Sequence, residues 1–94
     1  MALIKVQFHG LWGLCLGVEQ FPLEAAGLDE ALAGIEGRFA PLLRQRLQNR
    51  GVKLDGDIRK YSYVVLNSTG LQQLPDKNIQ DGDTLHIFPA VTGG

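Results

Sequence analysis

Asp81-Gly82-Asp83-Thr84-Leu85-His86-Ile87-Phe88-Pro89-Ala90-Val91-Thr92-Gly93-Gly94 joins a turn, a strand, a spacer and a pair of glycines. Asp-Gly-Asp punctuates a chain as a tight turn. Thr84 to Phe88 alternates, with Leu85 and Ile87 on one side and His86 and Phe88 on the other, which reads as a half-buried strand. Pro89 has no amide hydrogen and ends regular pairing on its own nitrogen. The two glycines behind the spacer carry no side chains and adopt backbone angles that other residues avoid. Such an end suits a flexible tail, residues 89–94, that threads a narrow channel and presents its α-carboxylate there. The plain alternative is a small chain end without function.

The last strand needs neighbours, and the first residues offer one. Residues 3–9 alternate, with Ile4, Val6 and Phe8 on one face and Leu3, Lys5 and Gln7 on the other. Gly10 breaks that strand, and Leu11 to Gly17 is an apolar turn region without a clear assignment. Val18 to Leu23 reads as a second strand with Phe21 and Leu23 inward, and Pro22 makes it an edge. Leu28, Leu32, Ile35 and Phe39 then fall on one helical stripe, with Asp29 and Glu30 in the first turn, where negative charge suits the helix dipole. Gly34 and Gly37 are expected on its solvent side. Pro41 is expected to start a separate helical piece with Leu42, Leu43 and Leu47, capped by Gly51.

Asp55-Gly56 signals a turn, and Ile58 to Asn67 reads as a long strand. Its alternation places Val64 and Leu66 on one side and Tyr61, Tyr63 and Val65 on the other. Leu71, Leu74 and Ile79 are expected to pin the following loop to the core. The order is strand, strand, helix, strand, loop, strand, tail. One main helix covers one sheet face and leaves the other open, an α+β arrangement with the first and last strands parallel at the centre.

With 94 residues, residues 1–94 form a single domain with few deep pockets. A formal charge of −1 argues against nucleic acid as a partner. No apolar run is long enough to cross a bilayer. The N-terminus reads as a strand and not as a secretion signal, and the lone Cys15 excludes an internal disulfide and a cysteine zinc site. A cytoplasmic setting is the expectation.

The final stretch, with its Gly-Asp turn, apolar strand, Phe-Pro-x-Val spacer and terminal Gly-Gly, closely resembles the C-terminus of the MoaD/ThiS group of ubiquitin-like sulfur carriers, MoaD-type molybdopterin synthase small subunits above all. The Ile4–Gly10 strand and the Leu28–Phe39 helix fit as well, although Ala90 stands where a second proline is common in that group. The resemblance implies a β-grasp fold: a mixed, curved sheet of four to five strands, one main helix on one face, and a C-terminal Gly-Gly tail.

The resemblance also implies a chemistry. A MoeB/ThiF-like activating enzyme joins Gly94 to AMP, and sulfur then replaces AMP to leave a thiocarboxylate. The chain has no Gly-rich loop ending in Gly-Lys-Ser/Thr, so ATP belongs to the partner and this protein is a carrier, not an enzyme. Extended, residues 90–94 span roughly 17 Å, enough for Gly94, with Gly93 behind it, to reach a buried site. Molybdopterin synthesis, with a MoaE-like large subunit, is the leading destination. Thiamin synthesis, tRNA thiolation, cysteine synthesis or isopeptide conjugation of Gly94 to protein lysines are alternatives. Partner contacts are expected from Phe88, Pro89, Val91 and Thr92, and from Tyr61, Tyr63, Val65 and His86 on the open sheet face. Aromatic pairs on that face would otherwise merely stabilise the sheet. Cys15 reads as buried filler, Trp12 as core or interface rim, and His9 and His86 as residues without metal.

Overall fold

A computed structural model of the chain describes residues 1–53 and 58–90. Five strands form one mixed sheet in the order β2-β1-β5-β3-β4. Strand β1 (Ala2–Phe8) pairs antiparallel with β2 (Gln20–Ala25). It also pairs parallel with β5 (Thr84–Pro89), Lys5 opposite Thr84 and Phe8 opposite Ile87. On its other side β5 meets β3 (Ser62–Leu66) antiparallel, with Ser62 opposite Pro89. A two-residue β4 (Thr69–Gly70) completes the sheet. The first and last strands are therefore parallel neighbours, as expected, with their buried residues on one face. β2 lies at the edge, where Pro22 removes no bond that an inner strand would need.

The alternation decides the two faces. Ile4, Val6, Phe8, Val64, Leu66, Leu85 and Ile87 are buried beneath the helices. Leu23 joins them, while Phe21 is half-buried and sits edge-on to the Phe39 ring, with centroids 5.0 Å apart. Leu71, Leu74 and Ile79 pack against the same core from the loop between β4 and β5.

The main helix, α2, runs unbroken over Leu28–Gln48 with Pro41 inside it, where the sequence suggests two pieces. Proline removes one helical hydrogen bond and costs about 3 kcal/mol relative to alanine. The apolar stripe continues straight through it: Leu28, Leu32, Ile35, Phe39, Leu43 and Leu47 are all buried. Each such side chain contributes about 1.5–3 kcal/mol on burial, so two of them offset the proline. Pro41 and Gly37, whose carbonyl loses its partner, are both exposed, on the side of the helix where solvent can reach that carbonyl. Gly37 faces solvent as expected. Gly34 does not: a β-carbon there would lie 3.7 Å from the Leu23 side chain, against β2.

Residues 11–17 gain their assignment. A short helix, α1, spans Gly10–Leu16 and buries Trp12, Cys15 and Leu16. That spacing of three and four is helical, but seven residues cannot hold a helix without packing. Gly17 closes it in the left-handed conformation at φ 71°, its N–H donating to the Gly13 carbonyl. Arg46 of α2 donates from Nη1 to the Cys15 carbonyl at 2.6 Å, a cation on the negative helix end. The Trp12 indole is fully buried and donates from Nε1 to Ser62 Oγ at 2.8 Å, tying α1 to the start of β3.

The strand expected over Ile58 to Asn67 is shorter. Ile58–Tyr61 is a single 3-10 turn, and β3 begins only at Ser62. The turn expected at Asp55-Gly56 lies outside the described residues. Among the described residues no helix is long and apolar enough to cross a membrane.

Candidate functional site

β5 leaves the sheet between two fixed neighbours. On one side, the His9 N–H donates to the Ile87 carbonyl at 3.0 Å. On the other, the Ala90 N–H donates to the Tyr61 carbonyl at 2.7 Å. Gly10, at φ +56°, sits so close to Pro89 that a β-carbon would stand 3.3 Å from its Cγ. The chain is thus guided out at Pro89-Ala90 by backbone bonds on both flanks and by a glycine that lets the proline ring approach. Val91, Thr92, Gly93 and Gly94 lie outside the described residues.

The sheet face opposite the helices gathers the remaining expected residues. Tyr63, Val65, His86 and Phe88 line a shallow concavity of about 490 Å³ together with His9 and Asn67. Tyr63 is 56% exposed, while Val65, His86 and Phe88 are half-buried. The Tyr63 hydroxyl leans over Gly70, where an added β-carbon would be 2.8 Å away, so its ring stays 6.5 Å from that of Phe88. Tyr61 is not part of this face. Because Ile58–Tyr61 is a turn, strand alternation does not reach it, and its ring packs against the core.

His9 is the site residue that sequence reasoning missed. Its ring stacks on Phe88 with centroids 4.2 Å apart and planes 12° from parallel. Its Nε2 lies 2.9 Å from His86 Nδ1, a hydrogen bond in which one ring donates and the other accepts. The signal was the β1 alternation itself, which carried one residue further puts His9 on the face of Gln7. Only the parallel register, with Gln7 beside His86, reveals what it meets. The His86 pKa is lowered, first by burial and then by the neighbouring His9, both of which disfavour a second cation. Among the described residues no cluster of three or more metal-ligating side chains occurs.

Cys15 is buried in α1, and Trp12 belongs to the core. Neither faces the concavity.

The same architecture is found in solved structures. SAMP1 from Haloferax volcanii superposes with a TM-score of 0.66 at 21% identity, over 99% of this chain and 100% of that one. Small archaeal modifier protein 1 from Methanosarcina acetivorans gives 0.67 at 20% identity, over 100% and 98%. Subunit 1 or 2 of a molybdopterin-converting factor complex from Helicobacter pylori gives 0.60 at 25% identity, over 98% and 99%. Sequence comparison finds no matching family model and no matching curated protein.

Proposed function

From a β-grasp fold of MoaD/ThiS type, shared with small modifier proteins and a molybdopterin-converting factor chain, we propose that this chain is a sulfur carrier whose reactive group is the Gly94 carboxylate. Residues 89–94 serve as its tail, with Gly93 and Gly94 entering the partner's site and Val91 and Thr92 lining the approach. A free carboxylate is a poor electrophile. An activating enzyme of MoeB/ThiF type supplies ATP. The carboxylate oxygen attacks the α-phosphorus, pyrophosphate leaves, and an acyl-adenylate forms. A sulfide-level nucleophile then forms a carbon–sulfur bond as the bond to AMP breaks. The product is a thiocarboxylate, whose sulfur is handed to an acceptor. The chain binds no nucleotide itself and acts as a co-substrate.

The observation behind this proposal is the exit of β5. The strand at the sheet centre ends beside the open aromatic face, with Ala90 fixed to Tyr61. Four residues beyond Ala90 span roughly 13 Å when extended. A globule docked through Phe88, Tyr63, Val65 and His86 therefore delivers Gly94 that far into its partner. Molybdopterin synthesis is the favoured destination, with a MoaE-like large subunit as second partner, because the Helicobacter pylori structure is a complex of subunits 1 and 2.

Two modifier proteins among the similar structures favour a second outcome, conjugation of Gly94 to protein lysines. Both start with adenylation. Incubation with a MoeB-type enzyme, ATP and a sulfide donor, read by intact mass, separates them. Replacement of one oxygen by sulfur is expected. A ladder of lysine conjugates in cell extract supports the modifier instead, and a chain inert to ATP overturns both. Phe88→Asp is expected to abolish capture by the activating enzyme while circular dichroism stays unchanged.

A further inference from the structure

The imidazole pair on the open face has a property that an apolar docking patch does not need. His9 Nε2 and His86 Nδ1 face each other at 2.9 Å, and His9 also lies flat on Phe88 at 4.2 Å. The same residue donates its N–H to Ile87, one position before Phe88. One histidine thus touches the strand end through its backbone, the docking aromatic through its ring, and the second histidine through its nitrogen.

With both rings neutral, or with one proton charge between them, one nitrogen donates and the other accepts. With both rings charged, two N–H groups point at each other across the same gap, and no acceptor remains. Like charges at that distance repel, and the pair must open. His9 follows the last residue of β1, whereas His86 lies inside β5 between two paired strands, so we take His9 as the ring that yields. When it swings out, Phe88 loses the nearer of its two stacked imidazoles, leaving only His86 at 6.1 Å, and the concavity loses one wall.

The surroundings do not compensate the second charge. Tyr63 and Val65 of β3 line the concavity, and Val65 pairs with His86. Gln7 of β1 stands beside His86, with Lys5 one pair further along that face. Gln20 of β2 pairs with Gln7, and Glu24 lies at the far end of β2, opposite Leu3. Thr84 and Asn67 lie toward the start of β5, and Asp83 there is bonded to Asn67 and to the Gln80 N–H. No described carboxylate touches either imidazole.

We propose that His9 is a positioning residue for the docking face and the tail root, and that double protonation of the His9–His86 pair releases Phe88 and weakens capture by the activating enzyme. The proposal rests on the docking role assigned above to that face. The lowered His86 pKa has the same sign: burial holds it down first, and the neighbouring His9 adds to that. Two interacting imidazoles lose their protons in steps that belong to the pair.

Proton NMR of the whole chain, titrated from about pH 8 to about pH 5, tests the latch without a partner. Expected are two separated imidazole steps, with the Phe88 ring resonances shifting on the more acidic one. Two independent titrations at the ordinary histidine position, with Phe88 unmoved, overturn the proposal. Binding to a MoeB-type enzyme at about pH 7.5 and about pH 5.5 tests the gate, with up to about tenfold weaker capture per pH unit expected at the acidic end. His9→Gln places an amide that can donate or accept, so its affinity ratio between the two pH values should fall toward one. A wild-type ratio of one, with Phe88→Asp still inactive, overturns the gate and leaves the docking face standing. Binding indifferent to Phe88→Asp sinks the docking face and the gate with it.

Discussion

The two ends of β5 are held by different chemistry. At its start, the Asp81–Asp83 turn is tied down by carboxylates: Asp81 Oδ1 accepts from the Leu3 N–H at 2.7 Å, and Asp83 Oδ2 from the Gln80 N–H at 2.9 Å. Asn67 closes the arrangement, donating from Nδ2 to Asp83 and accepting from the Thr84 N–H at 3.0 Å. At its exit there are backbone bonds, a proline against a glycine, and stacked rings. Between the ends, Leu85 and Ile87 are buried and fix the strand at the sheet centre. A strand anchored firmly at one end can present the other. Changes at the start should register as stability, and changes at the exit as function.

The largest separation is expected from the tail. Deleting Gly94, or adding one residue after it, should lower adenylate formation at least about a hundredfold, because a misplaced reacting atom loses that much. Thermal unfolding should not move. Unimpaired adenylation of the extended variant would erase the distinction between the two ends.

Gly10→Val sits at the boundary of the two regimes. A β-branched residue at φ +56° costs about 1–2 kcal/mol, and its side chain must also displace Pro89. A fall in stability of about 2 kcal/mol or more is expected in chemical denaturation. Because Pro89 moves, adenylation should fall as well, beyond what the loss of folded protein explains.

At the start of the strand, Asp83→Ala leaves the Gln80 N–H and the Asn67 amide without their acceptor. The site is partly exposed, so water replaces some of the loss, and about 1–2 kcal/mol is expected. Adenylation of the folded fraction should be unchanged. A variant that folds normally yet fails to be activated would contradict the division of labour.

The anchored end was legible from sequence, and the exit only in part. Asp-Gly-Asp followed by an alternating strand announces itself locally, as does the stripe from Leu28 to Phe39. What was missed depends on distant partners. Trp12, Cys15 and Leu16 have helical spacing, but a helix this short exists only because α2 and Ser62 hold it. Pro41 signals a break that the buried stripe on both sides overrides. Tyr61 falls one residue before β3, so alternation counted through it fails. His9 and His86 are 77 positions apart, and only the parallel register makes them neighbours.

The pH dependence of stability gives the smallest and most specific contrast. In the unfolded chain His86 titrates near the ordinary value of about 6.5. In the fold its pKa lies below that, first through burial and then through His9. Above about pH 6.5 both states are neutral at this position and stability is at its plateau. As pH falls through that value toward the lowered one, the unfolded chain takes up the proton first, so stability declines. The decline should begin above the range in which ordinary carboxylates titrate, roughly pH 4. Denaturant midpoints measured between about pH 7.5 and about pH 5.5 should fall in the wild type, and His86→Gln should flatten that part of the curve. A wild-type midpoint constant over the window, or one that rises on acidification, would mean that His86 beside His9 takes up its proton as readily in the fold as in the unfolded chain, and the exit of β5 would carry no pH response of its own.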